Sequence, residues 1–111
     1  MSSHWSKESF QVGITATHHH LPDSSTAADI SARIGELNAD PTVHGIILQL
    51  PLDVTTPVDA DAVMEEIAAE KDVDGLTLLN AGRLARNHKD AIVPCTPKGC
   101  LRLVQKTGTS V

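Results

Sequence analysis

The chain has 111 residues and a formal net charge of −5, from 9 Lys plus Arg against 14 Asp plus Glu, with one Phe, one Trp and no Tyr. That length suits one domain with a modest core. The acidic balance and the scarcity of aromatic rings speak against nucleic acid as a partner, which needs a basic stripe to follow phosphate and rings on which to stack bases. No apolar run nears the roughly 20 residues of a membrane span. Residues 1–7 lack the apolar centre of a signal peptide and the arginines of a mitochondrial presequence. A soluble intracellular protein is expected, with Cys95 and Cys100 as free thiols in a reducing compartment.

Val12, Ile14 and Ala16 alternate with Gly13, Thr15 and Thr17. This predicts a first strand, running into His18-His19-His20 and stopped by Pro22. Ala27, Ile30, Ile34 and Leu37 form a helical stripe, opened by Thr26 with Asp29 three residues on, a capping pair, and closed by Asn38-Ala39-Asp40-Pro41. The segment from His44 holds an apolar run, Ile46 to Leu48, that ends in the polar Gln49 and is stopped by Pro51. It reads as a strand buried on both faces of a parallel sheet. After the polar loop 53–56, Thr56 and Pro57 suit an N-cap and first turn for a helix carrying Ala60, Val63, Met64 and Ile67. Asp72-Val73-Asp74-Gly75 then leads into a short apolar strand, Leu76 to Leu79, and a turn at Asn80-Ala81-Gly82. Residues 83–90 are charged surface, Ile92-Val93 suggests a short strand, and Thr96-Pro97 opens a last helix with Cys100, Leu101 and Val104. Strands alternating with helices predict an α/β fold with a parallel sheet.

In such sheets ligands gather at the carboxyl ends of strands, where Gln49 falls. Its amide is either satisfied by nearby backbone or placed to meet a ligand. Asp72 and Asp74 reach the same rim. Carboxylates two apart in extended chain point to opposite faces, so only one can aim at a ligand, and Asp74 beside Gly75 is the better placed. The alternative is a polar helix-to-strand turn. The three histidines lack further ligands at metal spacing, so no metal is expected. Cys95, at a helix entrance, has no evident base partner. Arg83, Arg86 and Lys89 beside His88 read as a solvated loop or a small anion patch.

Several of these pieces stand in the order of a known pattern. Asn38-Ala39-Asp40, then Gln49-Leu50-Pro51-Leu52, Lys71-Asp72-Val73-Asp74-Gly75-Leu76, Asn80-Ala81-Gly82-Arg83-Leu84 and Pro94-Cys95-Thr96-Pro97-Lys98-Gly99-Cys100 resemble the methylenetetrahydrofolate dehydrogenase/cyclohydrolase family. The likeness spans residues 10–108, with 1–9 as a divergent start. It implies an incomplete three-layer βαβ domain, lacking the family's first strand and its Rossmann domain. It also implies NADP-linked oxidation of 5,10-methylenetetrahydrofolate, then hydrolysis of the methenyl product in the same folate cleft. In the resembled pattern Gln49 positions the catalytic lysine and the folate, Leu48 and Leu50 add contacts, and Asp74 grips the pterin. Gln49 and Asp74 are thus the catalytic candidates, and Leu48, Gln49, Leu50 and Asp74 the substrate-binding ones.

The sequence departs from that pattern at Trp5, where the lysine belongs, and at Met1, where its tyrosine belongs; Lys7 is two residues out of register. No glycine-rich phosphate loop is present, so NADP is implied by the family alone, with no site in this chain. Two functions follow as expectations: the folate-side piece of the enzyme, impaired when isolated, or a non-catalytic folate-binding or dimerising module. Its partners would be the folate substrate and either a second copy or an intact relative. A third outcome is a chain too incomplete to fold. The expected location is cytoplasmic, a mitochondrial relative being the other option.

Overall fold

Thr26 and Asp29 do what their spacing predicts. In the computed structural model, which describes residues 11–52 and 54–110, the Asp29 carboxylate accepts the Thr26 N–H at 2.8 Å and the Thr26 hydroxyl accepts the Asp29 N–H at 3.4 Å. This reciprocal cap starts α1, Ala27–Ala39. Three more helices follow: α2 (Ala60–Met64), α3 (Leu78–Ala85) and α4 (Cys95–Lys106). The core joins Ile30 and Ile34 of α1 to Ile46, Val63, Met64 and Ile67, with Leu21, Leu37, Val43, Leu48, Leu52 and Val58 packed around it. Ile34→Ala is expected to cost about 3 kcal/mol. The check is a lower urea midpoint at unchanged denaturant dependence.

The end of α1 is tied to a distant segment by side chains. Lys71 Nζ donates to the carbonyls of Leu37 (2.9 Å), Asn38 (2.8 Å) and Asp40 (2.8 Å). These are the acceptors a helix C-terminus leaves unpaired, and a cation there also meets the negative end of the helix dipole. Asn38 answers with Nδ2 donating to Glu66 O at 2.7 Å and Oδ1 accepting the Ala68 N–H at 3.0 Å. Two of the quoted motifs thus hold α1 against the chain that follows α2.

Pairing between extended segments is one parallel bridge among the described residues, Ile46 with Asp72, in which Ile46 N–H donates to Lys71 O at 2.7 Å. Gly45 permits this approach, because a β-carbon there would meet a Val73 methyl at 2.5 Å. The predicted strand at 44–50 is therefore extended chain with a single partner, and only one face is covered: Ile46 is buried, while Ile47 is 60% exposed. Val12 to Ala16 forms no strand. Its side chains are exposed, and alternation without a pairing neighbour supplies no ladder.

Further along, Leu76 to Leu79 is not a strand, and Asn80-Ala81-Gly82 is not a turn. Thr77 caps α3 by accepting the Asn80 N–H, which places Asn80 to Gly82 inside a helix. The cap of α2 is Asp59 rather than Thr56, because its carboxylate accepts the Ala62 N–H at 3.2 Å. Ile92-Val93 lies in no strand. α4 begins at Cys95, close to its predicted start, and buries no residue. The radius of gyration is 15.9 Å, against about 13 Å for a compact chain of this length, in keeping with an α3–α4 end outside the core.

Candidate functional site

The parallel bridge sets the site's geometry. Gln49 and Asp74 lie three and two residues beyond the paired positions Ile46 and Asp72, and the chain turns directly after Asp72, with Gly75 N–H donating to Asp72 O at 3.1 Å. Beside the bridge lies a crevice lined by Ile46, Ile47, Leu48, Met64, Ile67, Asp72, Asp74 and Leu76. Its interior is about 10 Å³, room for one water molecule, so a larger ligand would lie across its mouth. Leu48 and Asp74 are brought together there. Gln49 and Leu50 stand outside the lining, and Gln49 is exposed with Nε2 donating to Leu50 O at 3.2 Å. The peptide bond before Pro51 is cis. Trp5, Met1 and Lys7 lie outside the described residues.

The two aspartates separate in role. Asp72 is 2% exposed and accepts four bonds, from the Leu76 N–H (3.2 Å), the Thr77 N–H (2.9 Å), the Thr77 hydroxyl (2.8 Å) and Asn80 Nδ2 (2.9 Å). Burial pushes its carboxyl up, but the donors from Asn80, Thr77 and Leu76 together outweigh it and hold the group below the ordinary aspartate value of 3.8. Asp74 is half-buried, and its Oδ1 faces the Cys95 thiol at 3.9 Å. A carboxylate on the rim of an apolar crevice is equipped to accept N–H donors from a planar polar ring.

Sequence reading missed Lys71 and Asn38 as fold clamps, Asn80 as a buried donor and Cys95 as the neighbour of Asp74. For Asn38 and Lys71 the only signal was the motif itself, since their acceptors lie some thirty residues away in the chain. Among the described residues no group of three metal-ligating side chains forms, and His18 and His20 are exposed with rings 6.0 Å apart. His88 faces Asp90 at 3.8 Å, within an exposed loop. A larger groove, lined by Leu21, Pro22, Ser24, Ser25, Asp29, Ala32, Arg33 and Glu36, contains none of the candidate site residues. No helix among the described residues is long and apolar enough to cross a membrane.

Known proteins place this geometry in a family. Residues 3–74 match the tetrahydrofolate dehydrogenase/cyclohydrolase catalytic domain. Over 106 residues the chain is 51% identical to the cytoplasmic C-1-tetrahydrofolate synthase of Rattus norvegicus, an alignment covering 95% of this chain and 11% of that one. The FolD methylenetetrahydrofolate dehydrogenase/cyclohydrolase of Campylobacter jejuni superposes with a TM-score of 0.85 at 33% identity, over 96% of this chain and 37% of that one. The FolD of Trypanosoma brucei, solved with NADP cofactor and inhibitor, superposes at 0.82 and 32% identity, over 93% and 34%. The chain thus spans about a third of FolD and a ninth of the rat synthase. These likenesses make the fold α/β in type, and the chain belongs to the tetrahydrofolate dehydrogenase/cyclohydrolase family.

Proposed function

We propose that this chain provides the folate side of a methylenetetrahydrofolate dehydrogenase/methenyltetrahydrofolate cyclohydrolase. The observation that supports the reading is the parallel bridge between Ile46 and Asp72, beside which Leu48 and Asp74 line one crevice with Gln49 exposed next to it in the chain. Asp74 accepts ring N–H groups of the pterin, Gln49 offers an amide that both donates and accepts, and Leu48 and Leu50 cover an apolar face. In this reading residues 10–108 are one domain. The single bridge belongs to a parallel three-layer βαβ sheet.

At the lysine position of the family stands Trp5. An indole N–H donates but does not shuttle protons at neutral pH, so water activation is lost or severely reduced, on the order of 10²- to 10⁴-fold. The described residues do not fit a dinucleotide. The amino ends of α1, α2 and α3 already hold the carboxylates of Asp29, Asp59 and Glu65, which would repel a diphosphate. No glycine-rich loop precedes the uncapped α4. The described residues thus supply no diphosphate site for NADP. The location is cytoplasmic, as in the synthases it resembles.

A second reading has its own support. Leu78 (75% exposed), Leu79 (53%) and Leu103 (68%) leave α3 and α4 apolar toward solvent. This favours a folate-binding module that associates with a second copy or an intact relative. Titration calorimetry with tetrahydrofolate tests the shared part of both readings. Asp74→Asn is expected to weaken binding about tenfold or more, the loss of a bond to a charged acceptor. Equal affinity in wild type and variant would overturn the site. Hydrolysis of methenyltetrahydrofolate by the isolated chain at the rate of a FolD enzyme would overturn the expected impairment.

A further inference from the structure

We propose that Asp72 is a positioning residue: its buried carboxylate, gripped by Thr77 and Asn80, closes the loop that sets Asp74 on the rim of the site. The proposal rests on the folate reading for its ligand, and on the loop's own geometry for everything else. Asp72 Oδ1 accepts the Leu76 N–H, and Oδ2 accepts both Thr77 donors and the Asn80 amide. The backbone repeats the closure, with Gly75 N–H donating to Asp72 O at 3.1 Å. Asp74 sits within this loop, so its direction follows from how Asp72 is held.

Asn80 shows how firmly. It is 0% exposed, and Nδ2 donates to Asp72 Oδ2 and to Ala69 O, both at 2.9 Å. Its Oδ1 has no partner among the described residues. Turning the amide over would set Oδ1 against two acceptors, so the orientation is determined and the unpaired acceptor follows from it. Asn80 thus acts as a donor to Asp72 while leaving its own oxygen unsatisfied, a destabilising arrangement in a buried place. A simple cap of α3 would require only the Thr77 hydroxyl on the Asn80 N–H.

The experiment needs a readout that follows Asp74, and Cys95 supplies it, exposed and 3.9 Å from Asp74 Oδ1. Cys100, also exposed on α4, is the internal reference. Thr77→Val removes one donor to Asp72 at nearly constant volume, and Thr77→Ser keeps it. Alkylation by iodoacetamide is expected to show a Cys95-to-Cys100 rate ratio shifted about threefold or more in Thr77→Val, because thiol reactivity follows the charge beside it. Thr77→Ser and the core variant Ile34→Val should keep the wild-type ratio. Asp72→Asn carries the same expectation as Thr77→Val and replaces it if that variant does not fold.

Tetrahydrofolate affinity gives the second arm. Thr77→Val is expected to weaken it about tenfold, and to add nothing once Asp74→Asn is present, since the two act through one group. An unchanged thiol ratio, or additive losses of affinity, would overturn the positioning role. If wild type does not bind tetrahydrofolate, the folate reading fails, and the thiol ratio alone still decides whether Asp72 places Asp74.

Discussion

Gly75→Ala is expected to destabilise the fold by on the order of 3 kcal/mol, the sum of left-handed backbone strain and overlap. Gly75 has φ +65°, and a β-carbon there would strike the carbonyl oxygen of Ile92. A backbone oxygen cannot swing aside as the end of a long side chain does. The 72–76 loop must therefore move, and Asp74 moves with it. Gly82→Ala is the matched control, because Gly82 lies inside α3 with nothing within 4 Å of the added methyl. That change is expected to stabilise by about 0.8 kcal/mol through helix propensity. Urea midpoints shifting in opposite directions are the expected result, and a shared direction would contradict the close approach at Gly75.

Asp72→Ala is expected to cost about 3 kcal/mol, because truncation strands the buried donors of Thr77 and Asn80. The same carboxylate gives the fold a pH dependence of defined sign. Its folded value lies below 3.8, so the folded state binds fewer protons than the unfolded one in that range. The stabilisation is complete above the unfolded value near 3.8 and is lost as pH falls through the lower folded value. Unfolding curves from pH 6 to pH 2 should show wild type losing stability below about pH 4, with Asp72→Ala losing less over the same interval. Parallel profiles would show that Asp72 is not held as an ionised acceptor.

How much of this was readable from the residues depends on the distance over which each is satisfied. α1 was legible because its cap and apolar stripe are local: Thr26 and Asp29 bond each other, and Ile30 and Ile34 face one core. The start of α4 was legible to within a residue. Leu76 to Leu79 misled, because an apolar run with Thr at its centre reads as a strand. Here Thr77 is an N-cap whose hydroxyl also serves a buried aspartate. The bridge at Ile46 agrees with the parallel chain direction that alternating helices and extended segments predict, while Gln49 stands outside the crevice that Leu48 and Asp74 line. Burial was another matter. The 44–50 run was read as buried on both faces, yet Ile47 and Gln49 are exposed, since an apolar run reveals nothing about which neighbours cover it. Lys71 was illegible as a clamp because its three acceptors belong to α1 and the residues just after it.

A urea unfolding curve followed by circular dichroism, with and without tetrahydrofolate, tests the central claim most directly, since a ligand that binds only the folded state must raise its stability. A cooperative transition is expected, with a midpoint moved upward by tetrahydrofolate and that movement lost in Asp74→Asn. A cooperative curve that tetrahydrofolate leaves in place would contradict a folate site between Gln49 and Asp74.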